Sequence, residues 1–198
     1  MNWMKKVAVA LVCLLPLGLQ AAKVDTLQVK SPSMNKSIEV VVVSPDVAVT
    51  KACPVIYLLH GYGGNARTWV GIKPDLPKIA DEKGIFFVCP DGKNTWYWDS
   101  PLNADVRYET FISNELVKYV DSHYKTVADR KGRAITGLSM GGHGAMWNGL
   151  RHSDVFSAAG STSGGVDIRP FPKNWEMSVQ IGEKAKYPEN WEKYTVIN

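Results

Sequence analysis

Residues 134–145 read AITGLSMGGHGA. Ser139 stands between Gly137 and Gly141 in a G-x-S-x-G pattern, after a short apolar run and before a run of small residues. A hydroxyl in that setting can act as a nucleophile toward a carbonyl, provided the chain presents it to solvent, stabilises the oxyanion that forms and supplies a base. The glycines answer the first need. A strand that turns into a helix with almost no loop crowds the backbone, and flanking side chains would collide. Gly137 and Gly141 remove them, while Gly142 and Ala145 let the helix approach the sheet. Oγ of Ser139 is then expected above the carboxyl end of the sheet, with the Met140 amide free at the first turn of the helix to bind an oxyanion. A second amide is expected from Tyr62 in LLHGYGG, where His60 ends an apolar run and Gly61, Gly63 and Gly64 keep the loop slim.

The elements that position these groups follow from hydrophobic periodicity. KVDTLQVK and SIEVVVVSP read as two strands around the turn SPSMNK. PVIYLLH, IFFVCPDG, GRAITG and VFSAAGSTSG are short apolar runs, expected as strands buried on both faces. Between them DLPKIADEKG, residues 108–120 and SMGGHGAMWNGLRHS read as helices, the first ending at Gly84. Strand and helix alternate as in an α/β fold with a mostly parallel sheet, the two opening strands forming an antiparallel edge. The last thirty residues are less regular.

In the same order and spacing, LLHGYGGNARTW, VCPDG, WYWDSP and GLSMGGHGA resemble the esterase D-type family of α/β hydrolases. This family includes short-chain acyl, feruloyl and acetyl-xylan esterases, S-formylglutathione hydrolases and mycolyltransferases. The resemblance covers roughly Ser37 to Gly165. It implies an α/β-hydrolase fold, Ser139 as nucleophile and the Tyr62 and Met140 amides as oxyanion hole. It also implies that an acid and then a histidine follow the serine on later loops. His60 and His123 precede Ser139, and His143 and His152 fall on or at the end of the helix that follows it. His143 is expected to pack along the helix flank rather than to reach the hydroxyl, and His152 to be exposed. The expectation is therefore of a chain that is truncated, with the acid and base lying beyond Asn198 and with little activity of its own.

KNTWYWDSP places Trp96, Tyr97 and Trp98 after the carboxyl end of a strand, the ligand side of an α/β sheet. Trp96 and Trp98 are candidate substrate-binding residues, their planes suited to a sugar ring or to an aromatic acyl group such as ferulate; packing of the loop onto the core is the other reading. Trp69, Trp147, Trp175 and Trp191 are assigned to packing.

The sequence begins with a basic stretch and the 13-residue apolar run VAVALVCLLPLGL, followed by small residues. Residues 1–22 read as a secretory signal peptide and 23–198 as one hydrolase domain, secreted or periplasmic. Cleavage removes Lys5 and Lys6 and no acid, so the formal net charge drops by two from +4. That is too little to argue for nucleic acid or an anionic membrane as partner. Cys53 and Cys89 are placed too far apart along neighbouring strands for a disulfide. No cofactor or metal is implied. The activity expected is a serine carboxylesterase on short-chain or aromatic acyl esters, plant polysaccharide among them. An acyltransferase on the same scaffold and an inactive carbohydrate-binding relative remain open.

Overall fold

The computed structural model describes residues 22–197. The expected signal peptide lies outside the described residues except for Ala22, whose amide donates to Asp81 Oδ2 at 2.7 Å.

Six strands form one sheet in the order β1-β2-β4-β3-β5-β6. β1 (Lys23–Ser31) and β2 (Lys36–Ser44) are the antiparallel edge pair, and β2 pairs antiparallel with β4 (Phe86–Pro90). β3 (Val55–Leu59), β4 and β5 (Arg133–Gly137) run parallel, as does β6 (Ala158–Ala159) beside β5. The arrangement is that of an α/β hydrolase. Parallel strands need helical crossovers on the faces, which is why VIYLL and FFVCP are almost uniformly apolar.

The side chains of successive strand residues alternate between two cores. Leu58, Phe87, Val41 and Val43 pack with Leu76 and Ala80 of α2 (Leu76–Lys83) on one face. Leu59, Tyr57, Ile135 and Val88 pack on the other face, with α4 (Leu116–His123) and α5 (Met140–Arg151). A short helix, α1 (Thr68–Ile72), precedes α2. Gly84 ends α2 as expected, in the left-handed conformation at φ 62°. The helix expected over 108–120 opens as one turn, α3 (Tyr108–Thr110), passes through a π-helical stretch at Phe111–Glu115 and continues as α4. Beyond β6 come two short helices, α6 (Met177–Ile181) and α7 (Pro188–Lys193).

The fourth expected buried strand is a correction. β6 pairs over two residues only, and both alanines are exposed. Small side chains suit the close approach of α5, whose Gly149 lies against Ala159. They carry too little apolar surface to build a second core layer on that side.

Cys53 and Cys89 are both free and buried. Tyr57 lies opposite Val88, so Cys89 is level with Leu58, about five residues or roughly 16 Å beyond Cys53 along the sheet. Burial pushes both thiols up.

Candidate active site

Ser139 sits between β5 and α5 at φ 55°, ψ −115°, a region a non-glycine residue rarely enters. The neighbours over-determine it. The Leu138 amide donates to Leu59 O at 3.2 Å, the Ser139 amide to Thr162 O at 2.8 Å and the Gly141 amide to Leu138 O at 2.8 Å. A Cβ on Gly137 would strike the Gly141 carbonyl, and one on Gly141 would strike the Leu59 carbonyl and lie 2.6 Å from His60 O. Backbone meets backbone here with no space for a methyl group.

The turn leaves the Ser139 side chain exposed. Among the described residues its hydroxyl has no hydrogen-bond partner. The 60–64 loop arrives from the end of β3, with Gly61 positioned so that an added Cβ would sit 3.6 Å from Ser139 Cβ. Gly64 N–H closes a turn onto Gly61 O at 3.0 Å, with Gly63 at φ 76°. Neither the Tyr62 nor the Met140 amide has a protein acceptor among the described residues. Met140 opens a 12-residue helix, so its free N–H also carries the positive end of the helix dipole.

The four histidines are all committed elsewhere. His143 is fully buried, 0% exposed. The Trp98 indole N–H donates to its Nε2 at 2.9 Å, and its Nδ1 is 2.7 Å from Gly165 O. An indole can only donate, so Nε2 is the bare nitrogen and Nδ1–H donates to the carbonyl. Burial, partly offset by that bond, holds the ring down at about 4. In His60, Nε2 accepts from Gly92 N–H at 2.9 Å and Nδ1 meets Gly61 O at 2.7 Å. The ring therefore ties the 60–64 loop to the loop after β4. Its neighbour Asp91 is 3.6 Å from Nε2. Burial pushes the Asp91 carboxyl up, but His60 and Lys93 more than offset this and bring it to about 2. His152 Nε2 is 2.9 Å from Glu109 Oε1, and His123 stacks on Tyr119.

A cleft of about 270 Å³ opens over Ser139, lined among others by Tyr62, Trp96, Ile168, Phe171, Trp175 and Met177. Trp96 offers it one edge while its indole N–H donates to Trp175 O at 3.1 Å. Trp98 is a correction. It is fully buried, stacked on Trp96 and bonded to His143, so it has no free face for a ligand. The cause is a loop with two consecutive left-handed residues, Trp96 at φ 59° and Tyr97 at φ 60°. Tyr97 is seated between Gly92 and Gly144, where any Cβ would strike its ring. Trp175 is the converse correction. It is 45% exposed and lines the cleft rather than packing in the core. No periodicity flagged it, because residues 163–177 cross the cleft without regular structure until α6.

The family described as "Putative esterase" matches residues 31–196. The chain belongs to this esterase family. Esterase Rv1288 of Mycobacterium tuberculosis (strain ATCC 25618 / H37Rv) is 33% identical over 123 residues, 59% of this chain and 26% of that protein. The acetyl esterase of Caldicellulosiruptor saccharolyticus is 32% identical over 102 residues, 51% of this chain and 37% of that enzyme. This esterase-family chain thus spans roughly a quarter to two fifths of these relatives' lengths. A solved ferulic acid esterase superposes with a TM-score of 0.71 at 30% identity, covering 88% of this chain and 71% of the other.

Proposed function

We propose that the chain carries the nucleophile and oxyanion site of a secreted serine carboxylic-ester hydrolase that works through an acyl-enzyme. The observation that carries the reading is an exposed, unpartnered Ser139 hydroxyl in a strained turn, beside two amides with no protein acceptor. In this reading Ser139 Oγ attacks the ester carbonyl and the Tyr62 and Met140 amides receive the developing oxyanion. Collapse of the tetrahedral intermediate expels the alcohol and leaves an acyl group on Oγ, and water then releases the acid. The hydroxyl proton passes to a base that none of the four histidines supplies in the arrangement described.

The cleft is mostly aromatic and apolar, and about 270 Å³ accommodates a short-chain or aromatic acyl group. The acetyl esterase and ferulic acid esterase names among the relatives agree with that range. A polysaccharide alcohol fits the reading through the exposed faces of Phe171 and Trp175 at the rim. The leader-like residues 1–22 support export, and among the described residues no helix is long and apolar enough to cross a membrane.

The test is acylation by 4-nitrophenyl acetate and by a 4-nitrophenyl ester of a hydroxycinnamic acid. One equivalent of nitrophenol, lost in Ser139→Ala, is expected from each. Nitrophenol release that Ser139→Ala leaves unchanged would end the reading. Adding a sugar acceptor and analysing products separates hydrolysis from acyl transfer on the same acyl-enzyme.

A further inference from the structure

Ser139 has a neighbouring strand end on each flank, because β5 lies between β3 and β6 in the sheet. Tyr62 follows β3 on one flank, and Ser163 follows β6 on the other. Leu138 and Thr162 form a parallel bridge, so Ser163 is level with Ser139 on chains spaced about 4.8 Å apart. Both serines are exposed and line the same cleft. The chain is held on either side of Ser163. Thr162 O accepts from the Ser139 amide at 2.8 Å, and Thr162 N–H donates to Gly137 O at 2.9 Å. Gly164 lies so close to α5 that an added Cβ would sit 2.7 Å from the Gly142 carbonyl carbon, and Gly165 O accepts from His143. Ser163 itself is left-handed at φ 53°, a conformation that is easy for glycine and strained for a residue with a Cβ. Gly164 and Gly165 follow directly, yet the residue in the strained position is a serine. What its side chain adds is a hydroxyl, and among the described residues that hydroxyl has no hydrogen-bond partner.

Resting on the esterase reading above, we propose that Ser163 is a further catalytic residue, whose hydroxyl donates a hydrogen bond to the bridging oxygen of the bound ester. An ester presents two oxygens beside its reacting carbon. With the carbonyl oxygen directed to the Tyr62 and Met140 amides, the bridging oxygen is the acceptor left for a donor on the opposite flank. In the acylation step the bond from Ser139 Oγ to the carbonyl carbon forms, and the bond from that carbon to the bridging oxygen breaks. Negative charge gathers on the departing oxygen, and a donor already in place lowers the barrier. Ser163 keeps its own proton: water protonates the departing oxygen, and the Ser139 proton passes to a base in solution. The stabilisation matters most for an alcohol that leaves reluctantly. A nitrophenolate spreads its charge over the ring and needs little help, whereas a phenolate keeps more of it on oxygen.

The test uses the full chain with phenyl acetate and 4-nitrophenyl acetate, which share an acyl group and differ in the departing oxygen. The readout is the ratio of the 4-nitrophenyl to the phenyl acetate acylation rate, each taken as the release that Ser139→Ala abolishes. That ratio does not depend on how much of the chain is active. Ser163→Ala is expected to raise it about five- to tenfold, the effect of losing one hydrogen bond to an oxygen that is gaining charge. Ser163→Gly, whose backbone accepts the left-handed position, is expected to raise it as much while keeping the native urea midpoint. An unchanged ratio in Ser163→Gly would overturn the inference and leave the esterase reading standing. Equal slowing of both esters would overturn it too, because a displaced turn acts on every ester alike. Absence of any Ser139-dependent release from either ester in the native chain would overturn both the inference and the reading. Should Ser163→Ala lower the urea midpoint, Ser163→Gly decides: a raised ratio supports the inference, and the native ratio refutes it.

Discussion

The floor and the roof of the Ser139 cleft are built by different physics. The floor, Leu59–Gly61 with Gly137–Gly142, is backbone packed on backbone, where two glycines are the only residues that fit. The roof, residues 163–177, is irregular and carries exposed rings, Phe171 at 42% and Trp175 at 45%. Single side-chain hydrogen bonds such as Trp96 to Trp175 O hold it in place. The floor sets where the nucleophile points, and little about it can vary. The roof decides which acyl group or alcohol is retained, and it can vary without unfolding the protein. His143 links the two, on the floor helix but donating to Gly165 O in the roof.

The comparison breaks most visibly at Gly141. Gly141→Ala drives a Cβ into the Leu59 carbonyl, and neither backbone can retreat without breaking the sheet. Urea unfolding is expected to show a loss of about 3 kcal/mol or more. A variant of native stability would mean the floor is not close-packed.

The second effect concerns the link. An unfolded histidine titrates near 6.5, whereas burial holds His143 at about 4. Between those values the unfolded chain binds a proton that the folded chain refuses, so stability falls as pH is lowered through that window. The loss totals on the order of 3 kcal/mol, and urea midpoints across pH 7 to 4 should show it shrink in His143→Gln. An identical pH slope in the variant would remove His143 from the account.

Next in size is Trp98→Phe, which leaves the buried Nε2 of His143 without its donor. A cost of about 1–3 kcal/mol is expected, measured by the same unfolding. If this change instead altered ester selectivity at constant stability, the reassignment of Trp98 from ligand to core would be wrong.

The smallest expected effect on stability belongs to the roof. Phe171→Ala and Trp175→Ala should shift unfolding by no more than about 0.5 kcal/mol. They should raise several-fold the concentration of a hydroxycinnamoyl ester that half-saturates acylation and leave that of an acetyl ester unchanged, checked by the rate of single-equivalent nitrophenol release. Equal effects on both esters would take the roof out of specificity.

The same contrast explains what could be read from the residues alone. The floor is local: G-x-S-x-G after an apolar run and HGYGG after another dictate one turn each, and both lie where expected. The mostly parallel sheet and its antiparallel edge follow from alternation and connection rules. The roof is not local. Trp175, Glu176, Trp96 and Tyr97 all adopt left-handed backbone without being glycine, a choice forced by contacts with chain up to 82 residues away. Asn94, an ordinary loop asparagine by composition, gains its place only from Gly63 on one side and Glu176 on the other. Of the two readings the sequence leaves open for Trp98, packing is the one the structure shows, since the preceding left-handed pair turns it inward.

The central claim is that Ser139 presents a free hydroxyl at a prepared oxyanion site. Its most direct test is to treat the native chain with a fluorophosphonate, digest it and map the adduct by mass spectrometry. The account predicts a single adduct, on Ser139, that disappears in Ser139→Ala. An adduct on a different residue, or none at all in a chain whose circular dichroism shows it folded, would contradict it.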